Sequence, residues 1–169
     1  MTGWTRSRHM RLLIGAFLLH TLVWLYGCSP PASLHPAAIA SAHPLATQAG
    51  IEILEAGGNA FDAAVAVSAV LAVVEPYGSG IGGGGFWLLH RASDGFEVMI
   101  DGRERAPLAA TRDMYLDEAG AVVPDLSVNG ALAAGIPGEP AALVHIANRY
   151  GRLPLEKLLA PAIRLARTG

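Results

Sequence analysis

Cysteine is almost missing from this chain of 169 residues, in which Cys28 is the only one. A single cysteine excludes an internal disulfide and also a zinc site that uses several cysteines. The six histidines never occur at His-x3-His spacing, and two of them, His9 and His20, lie within the first 28 residues. We therefore expect neither a metal site nor a cofactor.

Clusters of positive charge are missing as well. Lys157 is the only lysine, the arginines are scattered, and the formal net charge is −2. Because nucleic acid is bound by patches or stripes of lysine and arginine, we expect no nucleic-acid partner. Hydrophobic residues make up 52% of the chain and charged residues 15%, so the chain is more apolar than an average soluble domain.

A long apolar run is present at the N-terminus, where residues 1–28 resemble an export signal. Arg6, Arg8 and Arg11 give this segment a positive start, and the apolar residues 12–25 follow. The apolar part is shorter than the roughly 20 residues that cross a membrane. We therefore predict a signal peptide over residues 1–28.

The residues before Cys28 read Leu25-Tyr26-Gly27, which resembles a bacterial lipoprotein cleavage box. We predict that Cys28 is lipidated, and that residues 29–43, rich in proline, alanine and serine, form a tether to the membrane. The alternatives are an ordinary cleaved signal peptide and an uncleaved anchor. The predicted location is the periplasm or the outer cell surface, with secretion as the second choice.

Residues 44–169 form the body of the chain, which cap and stop signals divide into elements. Helices are predicted over 48–56 after the cap Thr47, over 60–74 after the cap Asn59, over 139–150 and over 154–167. Asp62 lies in the first turn of the second helix, where its charge favours the positive helix end. That helix is rich in alanine and valine all round, which predicts burial on most sides. Pro161 should kink or split the last helix.

A β-hairpin is predicted from strands over 86–90 and 96–101, joined by a turn with an Asp-Gly pair. Thr111 is expected to begin a short helical turn. Two strands do not make a stable sheet alone, and the sequence stops at Gly169 directly after a helix. We therefore expect it to be the front part of a longer protein.

Four consecutive glycines, residues 82–85, precede the first predicted strand. Glycine adds no packing and loses much conformational entropy, so this run suggests that another backbone or a ligand comes very close. With Gly80 the run matches the nucleotide-binding spacing G-x-G-x-x-G, but a helix precedes it and a strand follows, which is the wrong order. The remaining interpretations are a tightly packed strand start and a floor beside an active site.

Arg103 follows the second predicted strand, and its planar side chain could bind a carboxylate through two parallel hydrogen bonds. The alternative is a solvated charged turn of Asp101, Arg103, Glu104 and Arg105, in which ion pairs contribute little. The residues alone identify no nucleophile, since no serine or threonine lies in an elbow motif.

In order along the chain, these motifs resemble the start of the γ-glutamyltranspeptidase family. The matching stretches are Ala46-Thr47-Gln48, residues 57–66, Gly80 to Phe86, Asp101 to Pro107, residues 110–115, Gly135 to Gly138 and residues 154–169. The resemblance implies an α/β fold, the N-terminal-nucleophile hydrolase αββα sandwich. Residues 44–169 would be the N-terminal portion of its large subunit, so the sandwich would be incomplete in this chain.

The resemblance also implies a reaction. Such precursors cut themselves into a large and a small subunit, and the new N-terminal threonine of the small subunit attacks a γ-glutamyl amide, with its own amine as base. Water or an amino acid then takes the glutamyl group from the acyl-enzyme. We expect no catalytic residue within these 169 residues, because the threonine would lie beyond Gly169. The protein partner would be the chain's own small subunit.

Two positions match the family's substrate-binding motif. Arg103 corresponds to the arginine that binds the α-carboxylate of the γ-glutamyl group, and Glu104 is expected to support it by orienting the turn. Related acylases of β-lactam side chains and enzymes that process poly-γ-glutamate are alternatives. A further alternative is an inactive, lipid-anchored binding module.

Overall fold

The computed structural model describes residues 37–169. The predicted leader, with Cys28, and most of the predicted tether therefore lie outside the described residues. Within that range the elements are, in order, α1 (Pro44–Glu55), α2 (Ala60–Val74), β1 (Gly85–Arg91), β2 (Phe96–Gly102), a short 3₁₀ helix (Ala131–Ala133), α3 (Glu139–Tyr150) and α4 (Leu155–Thr168). None of the helices in this range is long and apolar enough to cross a membrane.

Helix α2 spans the residues that the sequence predicts. The Asn59 side chain accepts hydrogen bonds from the N–H groups of Phe61 and Asp62, both at 2.9 Å, and Asp62 accepts one from the N–H of Asn59 at 2.8 Å. This reciprocal pair is a capping box, which satisfies donors that a free helix end leaves unpaired. Ala60 is the only exposed residue of α2, so the predicted burial is confirmed.

Helix α1 begins four residues earlier than predicted, at Pro44, and Thr47 is not its cap. The cap is His43, whose Nδ1 accepts a hydrogen bond from the N–H of Leu45 at 3.2 Å. Proline suits the first helical position because its missing N–H would have had no helical partner there. Thr47 lies inside the helix and shares a hydrogen bond of 2.8 Å with the hydroxyl of Ser41.

The predicted split of the last helix at Pro161 is wrong. Helix α4 runs unbroken through Pro161, whose fully buried ring adds packing that offsets the hydrogen bond it cannot donate. The segment after Thr111 forms hydrogen-bonded turns instead of the expected helical turn. There the N–H of Met114 bonds the carbonyl of Thr111 at 3.4 Å, and no helix propagates from this bond.

The predicted hairpin is confirmed, and β1 and β2 pair antiparallel over their full length. Because successive side chains of a strand alternate between faces, Trp87 and Leu89 pack against the helices. Phe86, Leu88 and Met99 are exposed on the other face. The sheet thus covers the helical core with one face only.

Helix α2 packs against α1, α3 and α4. One core cluster joins α2, α3 and the sheet, and includes Val65, Leu89, Leu143 and Ile146. Burying each such side chain contributes about 1.5–3 kcal/mol. A second cluster joins α1, α2 and α4 mainly through alanines, which let the helix axes approach closely. These contacts fix the frame from which the loops at the sheet end project.

Asp62 is fully buried and holds the loop between α3 and α4 to the start of α2. Its carboxylate accepts hydrogen bonds from the N–H of Arg152 at 2.9 and 3.1 Å and from the N–H of Leu153 at 3.4 Å. The Asn59 side chain adds a bond of 2.7 Å to the carbonyl oxygen of Tyr150. The two residues of the capping box therefore also connect the start of α2 to the end of α3 and the loop after it.

Replacing the fully buried Asp62 by alanine is expected to lower the free energy of unfolding by about 3 kcal/mol, because the backbone N–H groups of Arg152 and Leu153 would lose their acceptor. Urea unfolding of the whole protein measures the change. Asp117→Ala is the matched control, since that exposed carboxylate also accepts two backbone N–H groups. It should cost about 1 kcal/mol or less. An equal loss in both variants would contradict the role given to burial.

Candidate functional site

Three glycines bring the glycine run, the end of β2 and the start of α3 into backbone contact. A Cβ atom placed on Gly84 would lie 2.7 Å from the Cα of Arg103, and one placed on Gly138 would lie 2.7 Å from the carbonyl carbon of Gly102. Side chains do not tolerate such approaches, so these positions require glycine. We call this contact of Gly84, Gly102 and Gly138 the glycine junction.

The expected close approach of another backbone to the glycine run is confirmed at Gly84 but does not hold for the whole run. The carbonyl oxygen of Gly83 accepts hydrogen bonds from the N–H groups of Gly138 at 3.1 Å and Glu139 at 3.2 Å. A Cβ on Gly82, by contrast, would meet no atom within 4 Å. The run follows α2 and precedes β1, which is the reverse of the order that a nucleotide-binding loop needs.

A backbone bridge next to the junction fixes the segment after β2. The N–H of Arg105 donates to the carbonyl oxygen of Ile136 at 3.0 Å, and the N–H of Ile136 donates back to Arg105 at 2.8 Å. Sequence reasoning misses this pairing, because a single bridge between distant residues leaves no alternating pattern. The bridge and the junction together immobilise the backbone on both sides of Glu104.

Arg103 combines a fixed backbone with an exposed side chain. Its N–H donates to Oδ1 of Asp101 at 3.1 Å. Among residues 37–169 its guanidinium has no ion-pair partner, and the charged residues of the turn do not pair with one another. The guanidinium therefore has its donors available for an external anion, as a two-pronged carboxylate contact requires.

Glu104 packs between two glycine segments. A Cβ on Gly83 would lie 3.2 Å from Oε1 of Glu104, and one on Gly135 would lie 3.0 Å from its Cβ. These contacts restrict the position of Glu104 in the turn. That Glu104 supports Arg103 stays a prediction. Glu104 also lines a neighbouring cavity, whose described wall does not include Arg103.

That cavity, of about 380 Å³, lies between α2, the glycine run, β1 and the start of α3. Its wall combines glycine backbone with the hydroxyls of Ser68 and Ser79, the indole of Trp87 and the carboxylates of Glu104 and Glu139. The indole N–H of Trp87 donates to the hydroxyl oxygen of Ser68 at 3.4 Å. In the described part of the chain, no three His, Cys, Asp or Glu side chains form a group that could hold a metal ion.

Glu139 is the residue of this region that sequence reasoning does not single out. It opens α3, where an acidic residue normally faces solvent and favours the helix dipole, as Glu156 does at the start of α4. Glu139 is instead only 7% exposed, and burial raises the pKa of its carboxyl. No local pattern distinguishes the two glutamates, because the packing of the glycine run decides which one is buried.

Replacing Glu139 by glutamine is expected to stabilise the protein at pH 7. Because the folded-state pKa is raised, the folded state is most stable when the carboxyl is protonated, and it loses stability as pH rises from the usual pKa of about 4.3 through the raised value. Glutamine removes this loss, so the melting temperature at pH 7 should rise, although solvent screening reduces the size of the effect.

Differential scanning calorimetry at pH 4 and pH 7 tests this expectation. The gain should shrink at pH 4, where the wild-type carboxyl is largely protonated. Glu156→Gln is the matched control, an exposed glutamate that also lies in the first turn of its helix, and should change little at either pH. A lower melting temperature of Glu139→Gln at pH 7 would contradict the prediction.

Comparisons with known proteins agree on one family. The sequence pattern of the Gamma-glutamyltranspeptidase family matches residues 46–169. The glutathione hydrolase proenzyme of Escherichia coli (strain K12) is 47% identical over 131 residues, which are 78% of this chain and 22% of that protein. The crystal structure of Helicobacter pylori gamma-glutamyltranspeptidase matches with a TM-score of 0.74 and 49% identity, over 81% of this chain and 39% of that one.

A third similarity extends to an acylase. The crystal structure of the cephalosporin acylase from Bacillus halodurans matches with a TM-score of 0.63 and 32% identity, over 84% of this chain and 28% of that one. The fold is therefore that of the α/β N-terminal-nucleophile hydrolases, as the sequence motifs imply. More narrowly, the chain belongs to the gamma-glutamyltranspeptidase family. It spans about a quarter or less of the length of the curated relatives that it matches.

Proposed function

We propose that this protein is an exported γ-glutamyltransferase and glutathione hydrolase that acts on γ-glutamyl amides through a threonine acyl-enzyme. The observation that carries the proposal is the exposed guanidinium of Arg103, which has no ion-pair partner among residues 37–169, on a backbone fixed by the glycine junction. A rigid arginine with available donors suits a substrate that carries a free carboxylate. The family membership and the names of the E. coli and H. pylori relatives support the same reaction class.

In this proposal Arg103 binds the α-carboxylate of the γ-glutamyl donor through two parallel hydrogen bonds. The side-chain oxygen of the threonine attacks the γ-carbonyl carbon while the threonine's α-amine takes the hydroxyl proton. The amide C–N bond then breaks, and the α-ammonium passes that proton to the departing amine, which leaves the γ-glutamyl group as an ester on the threonine. Water or the amine of an amino acid then attacks the ester and releases glutamate or a new γ-glutamyl amide. We place the threonine outside these 169 residues, in a small subunit cut from the same precursor, because the chain spans only 22% of the E. coli relative.

The test uses protein made from the complete coding sequence, including whatever follows Gly169. Release of 4-nitroaniline from γ-glutamyl-4-nitroanilide is expected, and it should accelerate when glycylglycine is added as acceptor. Residues 37–169 alone should release none. No turnover by the complete, processed protein would refute the enzyme, and a stop codon after Gly169 would then favour a binding module. Turnover by residues 37–169 alone would refute the placement of the nucleophile.

A second candidate is an acylase, and the similarity to the cephalosporin acylase favours it specifically. A glutaryl group carries a terminal carboxylate that Arg103 could also bind, but it has no α-ammonium group. Comparing kcat/KM for γ-glutamyl and glutaryl anilides therefore separates the two functions. A preference for the glutaryl compound of tenfold or more would favour the acylase. A poly-γ-glutamate enzyme would instead prefer chains of γ-linked glutamate.

The proposed location rests on Cys28, the only cysteine of the chain. We propose that cleavage makes Cys28 the lipidated N-terminus, since several acyl chains together give stable membrane anchoring. Metabolic labelling with an alkyne fatty acid should mark the wild-type protein and not Cys28→Ser, which should leave the membrane fraction. Equal labelling of both proteins, or labelling of neither, would contradict lipidation and favour a secreted form.

A further inference from the structure

The turn before the 3₁₀ helix contains the pair Asn129-Gly130, in which a side-chain amide directly precedes a glycine, and both residues are exposed. Asp125 begins this turn with a φ of 63°, in the left-handed region that most side chains avoid. Its carbonyl oxygen accepts hydrogen bonds from the N–H groups of Val128 at 2.9 Å and Asn129 at 2.8 Å. These bonds hold the backbone only as far as the N–H of Asn129.

The two groups that follow this point lie next to each other in the chain and are not held by the fold. Among residues 37–169, neither the side-chain amide of Asn129 nor the N–H of Gly130 takes part in a hydrogen bond. Gly130 has a φ of 89°, which glycine adopts without steric cost, and it has no side chain to hinder its nitrogen. That nitrogen can therefore approach Cγ of Asn129.

The other two asparagines of the chain are held differently, and neither precedes a glycine. Oδ1 of Asn59 accepts the N–H groups of Phe61 and Asp62, both at 2.9 Å. Nδ2 of Asn59 donates to the carbonyl oxygen of Tyr150 at 2.7 Å. Asn148 lies inside α3, where helical hydrogen bonds engage the backbone nitrogen that follows it. A reaction of either side chain with the next backbone nitrogen would first have to break such bonds.

We propose that Asn129 is a site of spontaneous deamidation through a succinimide. Hydroxide takes the proton of the Gly130 N–H, and the nitrogen attacks Cγ of Asn129. The bond from Cγ to Nδ2 breaks, and the departing nitrogen takes a proton from water and leaves as ammonia. Water then opens the ring at either carbonyl carbon, which leaves aspartate or isoaspartate at position 129. The reaction needs only water and these two residues, so it does not depend on the proposed γ-glutamyl chemistry.

The hairpin turn contains a related pair, Asp94-Gly95, that the fold protects. Aspartate before glycine can form the same ring with loss of water. The N–H of Gly95, however, donates to the carbonyl oxygen of Arg91 at 3.0 Å. The carboxylate of Asp94 also accepts two hydrogen bonds from the Arg91 guanidinium, at 2.7 and 2.9 Å. Because both reacting groups are engaged, this pair serves as the internal control.

The test incubates the complete protein at mildly alkaline pH, with and without urea, and follows each site by chromatography and mass spectrometry of its peptides. In the native protein, Asn129 is expected to deamidate at least about tenfold faster than Asn59 or Asn148. Urea should change the rate at Asn129 by less than about threefold and raise the isomerisation of Asp94 by about tenfold or more, since only the second site gains freedom on unfolding.

Asn129→Gln is the matched variant, because glutamine keeps the amide but would have to form a larger, less favourable ring. Deamidation adds a negative charge, so the wild-type protein should develop an acidic species on anion exchange that the variant lacks. An acidic species that forms equally fast in both proteins would overturn the assignment to Asn129.

Two results with the wild-type protein would also overturn the proposal. One is native protein in which Asn129 keeps its amide as long as Asn59 and Asn148 do. The other is deamidation of Asn129 that begins only when urea unfolds the protein, since the fold would then protect this pair as it protects Asp94-Gly95. Both results come from wild-type protein, so the conclusion does not depend on the folding of Asn129→Gln.

Discussion

Arg103→Ala in the complete enzyme is expected to raise the KM for a γ-glutamyl donor by roughly 30-fold or more. Removing one partner of a charge-assisted, partly desolvated pair costs about 2–5 kcal/mol. The effect should fall mainly on KM, because the carboxylate is bound in the ground state and in the transition state alike. Arg103→Lys should restore part of the affinity, since lysine keeps the charge but cannot form two parallel hydrogen bonds. Steady-state kinetics with γ-glutamyl-4-nitroanilide measure these changes.

Arg105→Ala is the matched control for this prediction. Arg105 is exposed like Arg103, and its contact with Ile136 uses the backbone, which alanine retains. A second control changes the substrate: 4-aminobutyryl-4-nitroanilide lacks the α-carboxylate, so wild type and Arg103→Ala should hydrolyse it equally slowly. A larger loss for Arg105→Ala would show that the wrong arginine was assigned. If neither substitution matters, the turn is simply a solvated charged loop.

Gly84→Ala is expected to reduce kcat/KM for the donor by about 100-fold. The new Cβ would lie 2.7 Å from the Cα of Arg103 and would contact the carbonyl oxygen of Gly102, so one backbone must move. A shift of about 1 Å at a substrate-binding group is enough for a loss of this size. Overpacking of this kind also costs about 1–3 kcal/mol of stability. Donor kinetics and thermal unfolding of the same samples report the two effects.

Gly82→Ala, two positions earlier in the same run, is the control for this steric argument. A Cβ there would meet no atom within 4 Å, and the backbone does not have the positive φ that excludes alanine. Its kinetics and melting temperature should stay close to wild type. If both variants lose the same activity, the loss comes from stiffening the glycine run and not from contact with Arg103.

Local signals predicted the elements that depend on a few neighbouring residues. Helix α2 could be predicted from Asn59 and from the alanines and valines that follow it, because the cap and the apolar surface of a helix depend only on residues within that helix. The hairpin could likewise be predicted from the turn residues Asp94 and Gly95. The predicted start of α1 at residue 48 was wrong, because His43 caps the helix and Pro44 occupies its first position, which leaves Thr47 inside it.

Long-range contacts account for what the sequence did not predict. The capping role of Asp62 was visible, but its bonds to Arg152 and Leu153 join residues about 90 positions apart. The burial of Glu139 likewise depends on the glycine run that packs over the start of α3. No periodicity or spacing reports such contacts, since they exist only after the helices have packed.

The amino-acid sequence by itself determined the family, the order of the elements and the choice of Arg103, because ordered motifs and capping signals are local and survive without a structure. The tertiary structure alone decided why Gly84 and Gly138 must be glycine and Gly82 need not be. It also decided that Glu139 lies at a buried position while Glu156 is exposed to solvent. The physical reason is that steric contact and desolvation depend on which atoms of distant chain segments lie next to one another. The linear sequence does not give the distances between those atoms.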